Sequence, residues 1–234
     1  MKKLSSKGRP RKSEITRFKV MAWFNAVAEA SGKTAAELER EFAPAEHVRW
    51  VNGMEIRPRL WEKYRRGEVE PRSGCSPKGA PNLVERVEQR YPETAVWLSS
   101  PLWRLADKAP MEMSDIRGIY EGLPKLLRSI FIMAPHEEGE VFWRRPVAVD
   151  HVCEILLRIG GLDALVVALA LVKEAEITQY QDQHEIGVDT VRQCLALLQH
   201  DQILGGKLLR ELYRYLEHRW KKVKYYRIPG KEDE

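Results

Sequence analysis

The residues of this chain best suited to chemistry are the cations near its N-terminus. Residues 1–19 contain eight Lys and Arg residues against a single acid, with a glycine and a proline among them. Because proline fixes φ and disfavours a helix at the residue before it, we expect an extended segment. A narrow cationic peptide suits the minor groove of A·T-rich DNA, which is tight and strongly negative. The residues expected to contact DNA are Lys7, Gly8, Arg9, Pro10, Arg11 and Lys12.

The charge of the whole chain is unevenly distributed. Residues 1–80 hold 18 Lys and Arg against 10 Asp and Glu, whereas residues 81–234 hold 21 against 24, within an overall net charge of +5. A cationic segment on a nearly neutral body is typical of a protein that binds a polyanion. The alternative is that the basic tail only keeps the chain soluble.

A second group of cations lies on a helix predicted over residues 58–67, between a proline and a glycine that favour helix starts and ends. Arg59, Lys63 and Arg66 are spaced i, i+4, i+7 and share one face, and Trp61 can anchor the helix in a core. Such a helix can lie in a major groove. The alternative is a solvated face on a core helix, which three acids favour because they would repel phosphate. These acids are Glu62, Glu68 and Glu70.

The N-terminal segment resembles a known DNA-binding peptide. Residues 6–13 read Ser-Lys-Gly-Arg-Pro-Arg-Lys-Ser, which is similar to an AT-hook, whose core is Gly-Arg-Pro between basic residues. In that family the two arginines beside the proline enter the minor groove. The resemblance therefore implies that Arg9 and Arg11 enter the groove, with Lys7 and Lys12 on phosphates.

Two further stretches resemble the helix-turn-helix of Xre/Cro-type repressors. Residues 61–71, with a Trp before a Gly and a Pro four residues later, are similar to the end of the recognition helix, and residues 31–38 are similar to the first helix of the motif. The chain departs from the family because about 15 residues separate the two helices, where the family has a tight turn. The resemblance implies base contacts by Arg57, Arg59 and Lys63.

The chain is predicted to be all-α, with a small N-terminal helix-turn-helix-like unit joined to a larger multi-helix domain. Three prolines and two glycines in residues 71–81 predict a linker. The predicted organisation is a basic arm over residues 1–12, a helix-turn-helix-like DNA-binding unit over 13–72, a linker over 73–81 and a helical partner-binding or oligomerisation domain over 82–234. Three further expectations are Ser114 as a helix N-cap, a helix over residues 188–200 and a last helix over 206–225.

The last predicted helix has two different sides. Its apolar stripe consists of Leu209, Leu212, Leu216, Trp220 and Val223. The opposite side is basic and includes Arg210, Arg214, Lys221 and Lys224. One interpretation is an ordinary amphipathic helix with cations suited to its C-terminus. The others are a second phosphate-contacting surface or a seam between two subunits.

We find no set of residues that predicts an enzyme, a cofactor or a metal site. Asp150, His151 and Cys153 are close in sequence, but i, i+1, i+3 spacing scatters their side chains around a helix. His136 lacks a second histidine at helical spacing. The three cysteines lie far apart, so they predict no disulfide framework and suit a reducing cytosol.

These observations predict a DNA-binding protein, either a transcriptional regulator or a DNA-handling component of a mobile-element or antiphage (antiviral defence) system. Its expected partners are double-stranded DNA, bound either with tolerance of sequence or with a preference for A·T-rich sites, and a protein partner or a second copy bound through the C-terminal helical region. No apolar run approaches the roughly 20 residues that a membrane span needs, so the expected location is the cytoplasm, in association with the nucleoid. One alternative is a helical adaptor or scaffold whose basic arm only localises it to nucleic acid, and another is an enzyme with an unrecognised helical active site.

Overall fold

The computed structural model describes residues 13–43, 49–72, 80–133 and 144–225. Within these residues the chain is mostly helical, with one pair of short strands, which confirms the prediction of an all-α multi-helix fold. The chain divides into two compact units, Met1–Ser99 and Ser100–Glu234. The predicted arm at residues 1–12, together with Cys75 and His136, lies outside the described residues.

The first two helices of the chain begin and end where local signals predict. Ser13 caps the first helix by accepting a hydrogen bond from the Thr16 amide at 3.1 Å, and Gly32 ends it in a left-handed conformation. Thr34 and Glu37 form a reciprocal capping box at the start of the second helix. The described elements are α1 (Glu14–Ser31), α2 (Ala35–Phe42), β1 (Arg49–Val51), β2 (Met54–Ile56), α3 (Leu60–Arg65), α4 (Leu83–Arg90) and α5 (Val96–Ser99).

The core of the first unit is aromatic. Trp23 of α1 stacks on Trp61 of α3 with their ring centroids 5.5 Å apart, and Phe42 of α2 packs against Trp61 at the same distance. Tyr64 meets both tryptophan rings edge-on. Aromatic pairs in such geometries add about 0.5–1.5 kcal/mol to the free energy of unfolding beyond the effect of burial. Trp61 is 1% exposed, so its predicted role as the core anchor of α3 is confirmed.

The boundary between the two units differs from the predicted linker at residues 73–81. Val84 and Val87 of α4 are buried in the aromatic core of the first unit, and Arg86 donates a hydrogen bond to the backbone carbonyl of Phe42 at 3.2 Å. Residues 82–99 therefore belong to the first unit rather than to the second. A run of prolines and glycines indicates where regular structure stops, but it carries no information about which core the next helix joins.

The second unit is built around one buried helix. Its described elements are α6 (Pro101–Ala106), α7 (Met113–Glu121), α8 (Lys125–Phe131), α9 (Val149–Ile159), α10 (Gly161–Thr178), α11 (Gln181–Leu197), a 3-10 turn (Leu198–His200) and α12 (Gly206–Trp220). Every residue from 164 to 173 in α10 is buried, and this helix packs against α6, α7, α9 and α11. A helix that is apolar on all sides is typical of the centre of a helical domain.

Three predicted helix ends in the second unit are wrong. Glu112, rather than Ser114, is the N-cap residue of α7, and its backbone amide donates a hydrogen bond to the Asp115 carboxylate at 3.0 Å. The helix predicted from residue 188 begins at Gln181. Its polar first turns pack closely on α10, because a Cβ added at Gly187 would lie only 2.9 Å from the side chain of Val172. The last helix ends at Trp220 rather than near residue 225.

Candidate nucleic-acid interface

The helix α3 is shorter than predicted and is fixed by the core at its start. It spans Leu60–Arg65, and Arg59 precedes it in a left-handed conformation with φ of 51°. The backbone amide of Trp61 donates a hydrogen bond to the buried carboxylate of Glu39 in α2 at 2.7 Å. This bond takes the place of the side-chain hydrogen bond that the N-cap residue of α3 does not make. Burial raises the pKa of Tyr64, the second anchor of α3, to about 12, because the charged phenolate would lose its hydration in the core.

The structure separates the four cations that the sequence assigns to this helix. Arg59 and Lys63 are exposed, and within the described part of the chain neither forms an ion pair. Arg66 is also exposed, but its guanidinium pairs with Glu68 at 3.0 Å. Arg57 is only half-exposed. Among these four described cations, Arg59 and Lys63 are therefore the two exposed ones that can meet an anion without first losing an ion-pair partner.

Each acid that would repel phosphate near α3 is paired with a cation. The carboxylates of these acids lie within 2.8–3.0 Å of a basic nitrogen. The pairs are Glu62 with Arg65, Glu68 with Arg66 and Glu70 with Lys19. These contacts compensate the negative charge that would favour a purely structural face. Arg59 and Lys63 are two cations at α3 that have no counter-charge among the described residues.

The long separation between the two helix-turn-helix-like helices contains a β-hairpin that the sequence reasoning missed. The strands β1 and β2 pair antiparallel, with Val51 opposite Met54 across a two-residue turn. Both turn residues, Asn52 and Gly53, have positive φ, which two-residue hairpin turns require and which Asn-Gly provides. That dipeptide between two short apolar runs is the sequence signal that could have revealed the hairpin.

The hairpin carries large apolar side chains that are exposed to solvent. Trp50 is 70% exposed and Met54 66% exposed, and Val51 beside them is also exposed. Only residues 57–59 connect β2 to α3, so the Cα atoms of Ile56 and Leu60 are at most about 14 Å apart. An exposed aromatic ring therefore lies on the chain segment next to the two unpaired cations.

The predicted second basic face on α12 is exposed as expected. Arg210 and Arg214 lie on the solvent side of the helix, and Lys221 and Lys224 follow its end, also exposed. Most of the predicted apolar stripe is buried, with Val223 half-buried. This face lies in the second unit, and it carries no acidic partner for Arg210 or Arg214 among the described residues.

Two clusters of buried charge in the second unit have no counterpart in the sequence analysis. The Nη2 group of Arg219 in α12 donates to both carboxylate oxygens of Glu176 in α10, and Lys173 lies 3.4 Å from the same carboxylate. Burial alone would raise the pKa of Glu176, but the neighbouring His184 and the two cations outweigh it and lower this pKa. Burial, in turn, lowers the pKa of Lys173. The Glu176 carboxylate is thus shared by two cations, and its pair with Arg219 joins α10 to α12.

The second cluster joins α7, α10 and the segment before α9. Arg144 donates to Glu174 at 2.8 Å, and the Tyr120 hydroxyl donates to the same carboxylate at 2.7 Å. The guanidinium of Arg144 also lies over the Phe131 ring, 5.0 Å from its centroid. All partners in this cluster are satisfied by one another, which is the arrangement expected of a structural contact.

The residues weighed as catalytic candidates are not brought together. Cys153 is buried whereas Asp150 and His151 are exposed. Burial raises the pKa of the Cys153 thiol and raises that of Cys194 to about 11, which is opposite to the shift that activates a nucleophilic cysteine. Among the described residues, no group of His, Cys, Asp and Glu side chains is arranged to hold a metal ion.

Comparisons of the chain with protein-family models, with curated proteins and with solved structures found no match. Over the part of the chain that the structure describes, none of the helices combines the length and the apolar character needed to cross a bilayer.

Proposed function

We propose that this chain binds duplex DNA through its first unit, with Arg59 and Lys63 as contacts to phosphates or base edges. The observation that carries the proposal is that both cations are exposed and unpaired among the described residues, on a helix whose other side is fixed in an aromatic core. An exposed cation that has no ion-pair partner does not have to break an existing contact before it binds a phosphate, so its binding costs little free energy. Release of condensed counterions from DNA then drives binding.

The hairpin supports the same proposal. A two-stranded ribbon fits a DNA groove, and proteins that bend DNA insert apolar side chains between base steps. Trp50 is an exposed apolar side chain on such a ribbon, and only residues 57–59 separate the ribbon from α3 in the chain. The sequence of residues 7–12 adds basic residues to the same chain, and their composition favours an A·T-rich site. A regulator of transcription or a DNA-handling component of a mobile element would use such a surface.

The first test is a double substitution, Arg59→Ala with Lys63→Ala, in the full chain. Affinity for A·T-rich duplex, G·C-rich duplex and RNA is measured by fluorescence anisotropy over a range of salt concentrations. Loss of two phosphate contacts is expected to reduce the slope of log K against log salt by about 2. Deletion of residues 1–12 is expected to reduce the slope further and to remove any preference for the A·T-rich duplex.

The matched control is Lys125→Ala with Arg128→Ala on α8. Both residues are exposed and have no ion pair within the described residues. Their substitution changes the net charge by the same amount as Arg59→Ala with Lys63→Ala. We expect this variant to bind DNA with the parent slope. Equal losses in the two double variants would mean that only net charge matters, and a parent chain that binds no oligonucleotide near physiological salt would refute the proposal.

A further inference from the structure

The second unit has an apolar groove between its last two helices. The groove has a volume of about 510 Å³ and is open to solvent along one side. Its floor is formed by Leu195 of α11 and Leu209 of α12, both of which are buried. Ala196 and Tyr213 form its walls and are exposed. The surface offered to an occupant is therefore almost entirely apolar.

Two arginines at the rim of this groove are uncompensated. Arg210 and Arg214 line the groove, are exposed, and have no ion pair within the described ranges. They are four residues apart on α12, so their Cβ atoms are about 6 Å apart on one ridge of the helix. Arg192 on the opposite wall differs, because it donates to Glu217 at 2.7 Å and to Asp189 at 2.6 Å. The positive charge at the groove thus lies along the α12 rim.

We propose that this groove is the docking site for an amphipathic, acidic helix of a partner protein. Apolar side chains of that helix fill the groove between α11 and α12, and its carboxylates pair with Arg210 and Arg214. An amphipathic helix that lays its apolar face into a groove is a recurring mode of peptide recognition. Arginine suits this rim because its planar guanidinium holds a carboxylate by two parallel hydrogen bonds.

The apolar floor is what favours a protein helix over nucleic acid at this face. Phosphate groups on Arg210 and Arg214 would leave the apolar surface of Leu209 and Tyr213 against a strongly hydrated backbone. A helix with leucines on one side and glutamates beside them satisfies both parts of the groove at once. The proposal is independent of DNA binding, because the groove and the candidate nucleic-acid interface belong to different units.

The test uses the full chain and two synthetic helical peptides labelled with a fluorophore. One peptide has leucines at i, i+3, i+4 and i+7 with glutamates beside them, and the other has lysines in place of the glutamates. We expect saturable binding of the glutamate peptide only. Arg210→Glu with Arg214→Glu is expected to weaken it at least about tenfold, since two ion pairs become two repulsions.

Two further variants separate the groove from net charge and from loss of folding. Ala196→Trp fills the groove at an exposed position without changing the charge, and it is expected to weaken the glutamate peptide to a similar extent. Lys125→Glu with Arg128→Glu on α8 makes the same change in net charge away from the groove and is expected to leave peptide binding unchanged. Circular dichroism of each variant verifies that its helical content is retained.

Three outcomes would overturn the proposal. The first is failure of the glutamate peptide to bind the parent chain. The second is equal affinity of this peptide for the parent chain and for the Arg210→Glu, Arg214→Glu variant. The third is that the groove variants keep the parent affinity for the peptide but differ from the parent in another property. A change in duplex affinity would assign the groove to DNA, and a change in sedimentation coefficient would assign it to a second copy of the chain.

Discussion

At the scale of the residue, two glycines share a backbone conformation but differ in what surrounds them. Gly32 has φ of 66° and Gly67 has φ of 68°. A Cβ added at Gly32 would meet nothing within 4 Å, whereas at Gly67 it would lie 2.5 Å from both the carbonyl oxygen and the Cγ of Arg17. Gly67 therefore allows the end of α3 to approach the backbone of α1, and this approach helps to set how α3 presents Lys63.

Gly67→Ala is accordingly expected to destabilise the first unit more than Gly32→Ala. The left-handed conformation alone costs about 1–2 kcal/mol with a Cβ, and overpacking against a backbone oxygen adds about 1–3 kcal/mol. The free energy of unfolding from urea titration is the measurement, with Gly32→Ala as the matched control for backbone strain. Equal losses in the two variants would show that the approach to Arg17 is looser than 2.5 Å implies.

At the scale of the element, the hairpin β1–β2 occupies the place where a helix-turn-helix has a tight turn. The connection between α2 and α3 therefore contains a two-stranded ribbon, so the resemblance to the repressor family does not extend through the turn. The ribbon carries Trp50 and Met54, both largely exposed, which is an unusual position for large apolar side chains unless they contact a partner.

Trp50→Ala is expected to weaken duplex binding about tenfold, because stacking of an aromatic ring on a base is worth about 1–3 kcal/mol. The free energy of unfolding should stay within about 0.5 kcal/mol of the parent, since the side chain is largely exposed. Leu126→Ala on α8 is the control, because this side chain is 71% exposed in the other unit. If the Trp50→Ala variant binds duplex DNA as tightly as the parent chain, the hairpin is not part of the DNA-binding surface. The role of the α3 cations is tested separately by the double substitution of Arg59 and Lys63.

At the scale of the whole molecule, the two units have separate cores that are held in different ways. The first depends on stacked aromatic rings completed by α4 and α5, and the second on the buried helix α10 with charge clusters at its last turns. Because the rings of the first core are contributed by segments far apart in sequence, the unit is incomplete without residues 83–98.

The contribution of residues 83–98 to the first core predicts which N-terminal fragment can fold by itself. A fragment of residues 1–99 is expected to unfold cooperatively in urea, whereas a fragment of residues 1–81, which ends at the predicted linker, lacks the buried Val84 and Val87 and is expected to show no cooperative transition. Circular dichroism and tryptophan fluorescence, followed through the titration, make the measurement. A cooperative 1–81 fragment would show that the core closes without α4.

The local features of the chain could be read from its sequence because they depend on neighbouring residues. The caps at Ser13, Thr34 and Asn82 involve partners three residues away, so the starts of α1, α2 and α4 were predictable. The burial of Trp61 and the exposure of the basic side of α12 follow from helical periodicity, which is likewise local. The overall helical class follows from the sum of these signals.

The tertiary structure alone decided which cations are available and where the first unit ends. Glu70 is neutralised by Lys19 and Glu176 by Arg219, and these partners are many residues apart. The same holds for α4, which contacts α2 and joins a core that no local pattern describes. Sequence patterns report the preferences of short segments, whereas ion pairing and core membership depend on which distant segments meet, and only the folded chain settles that.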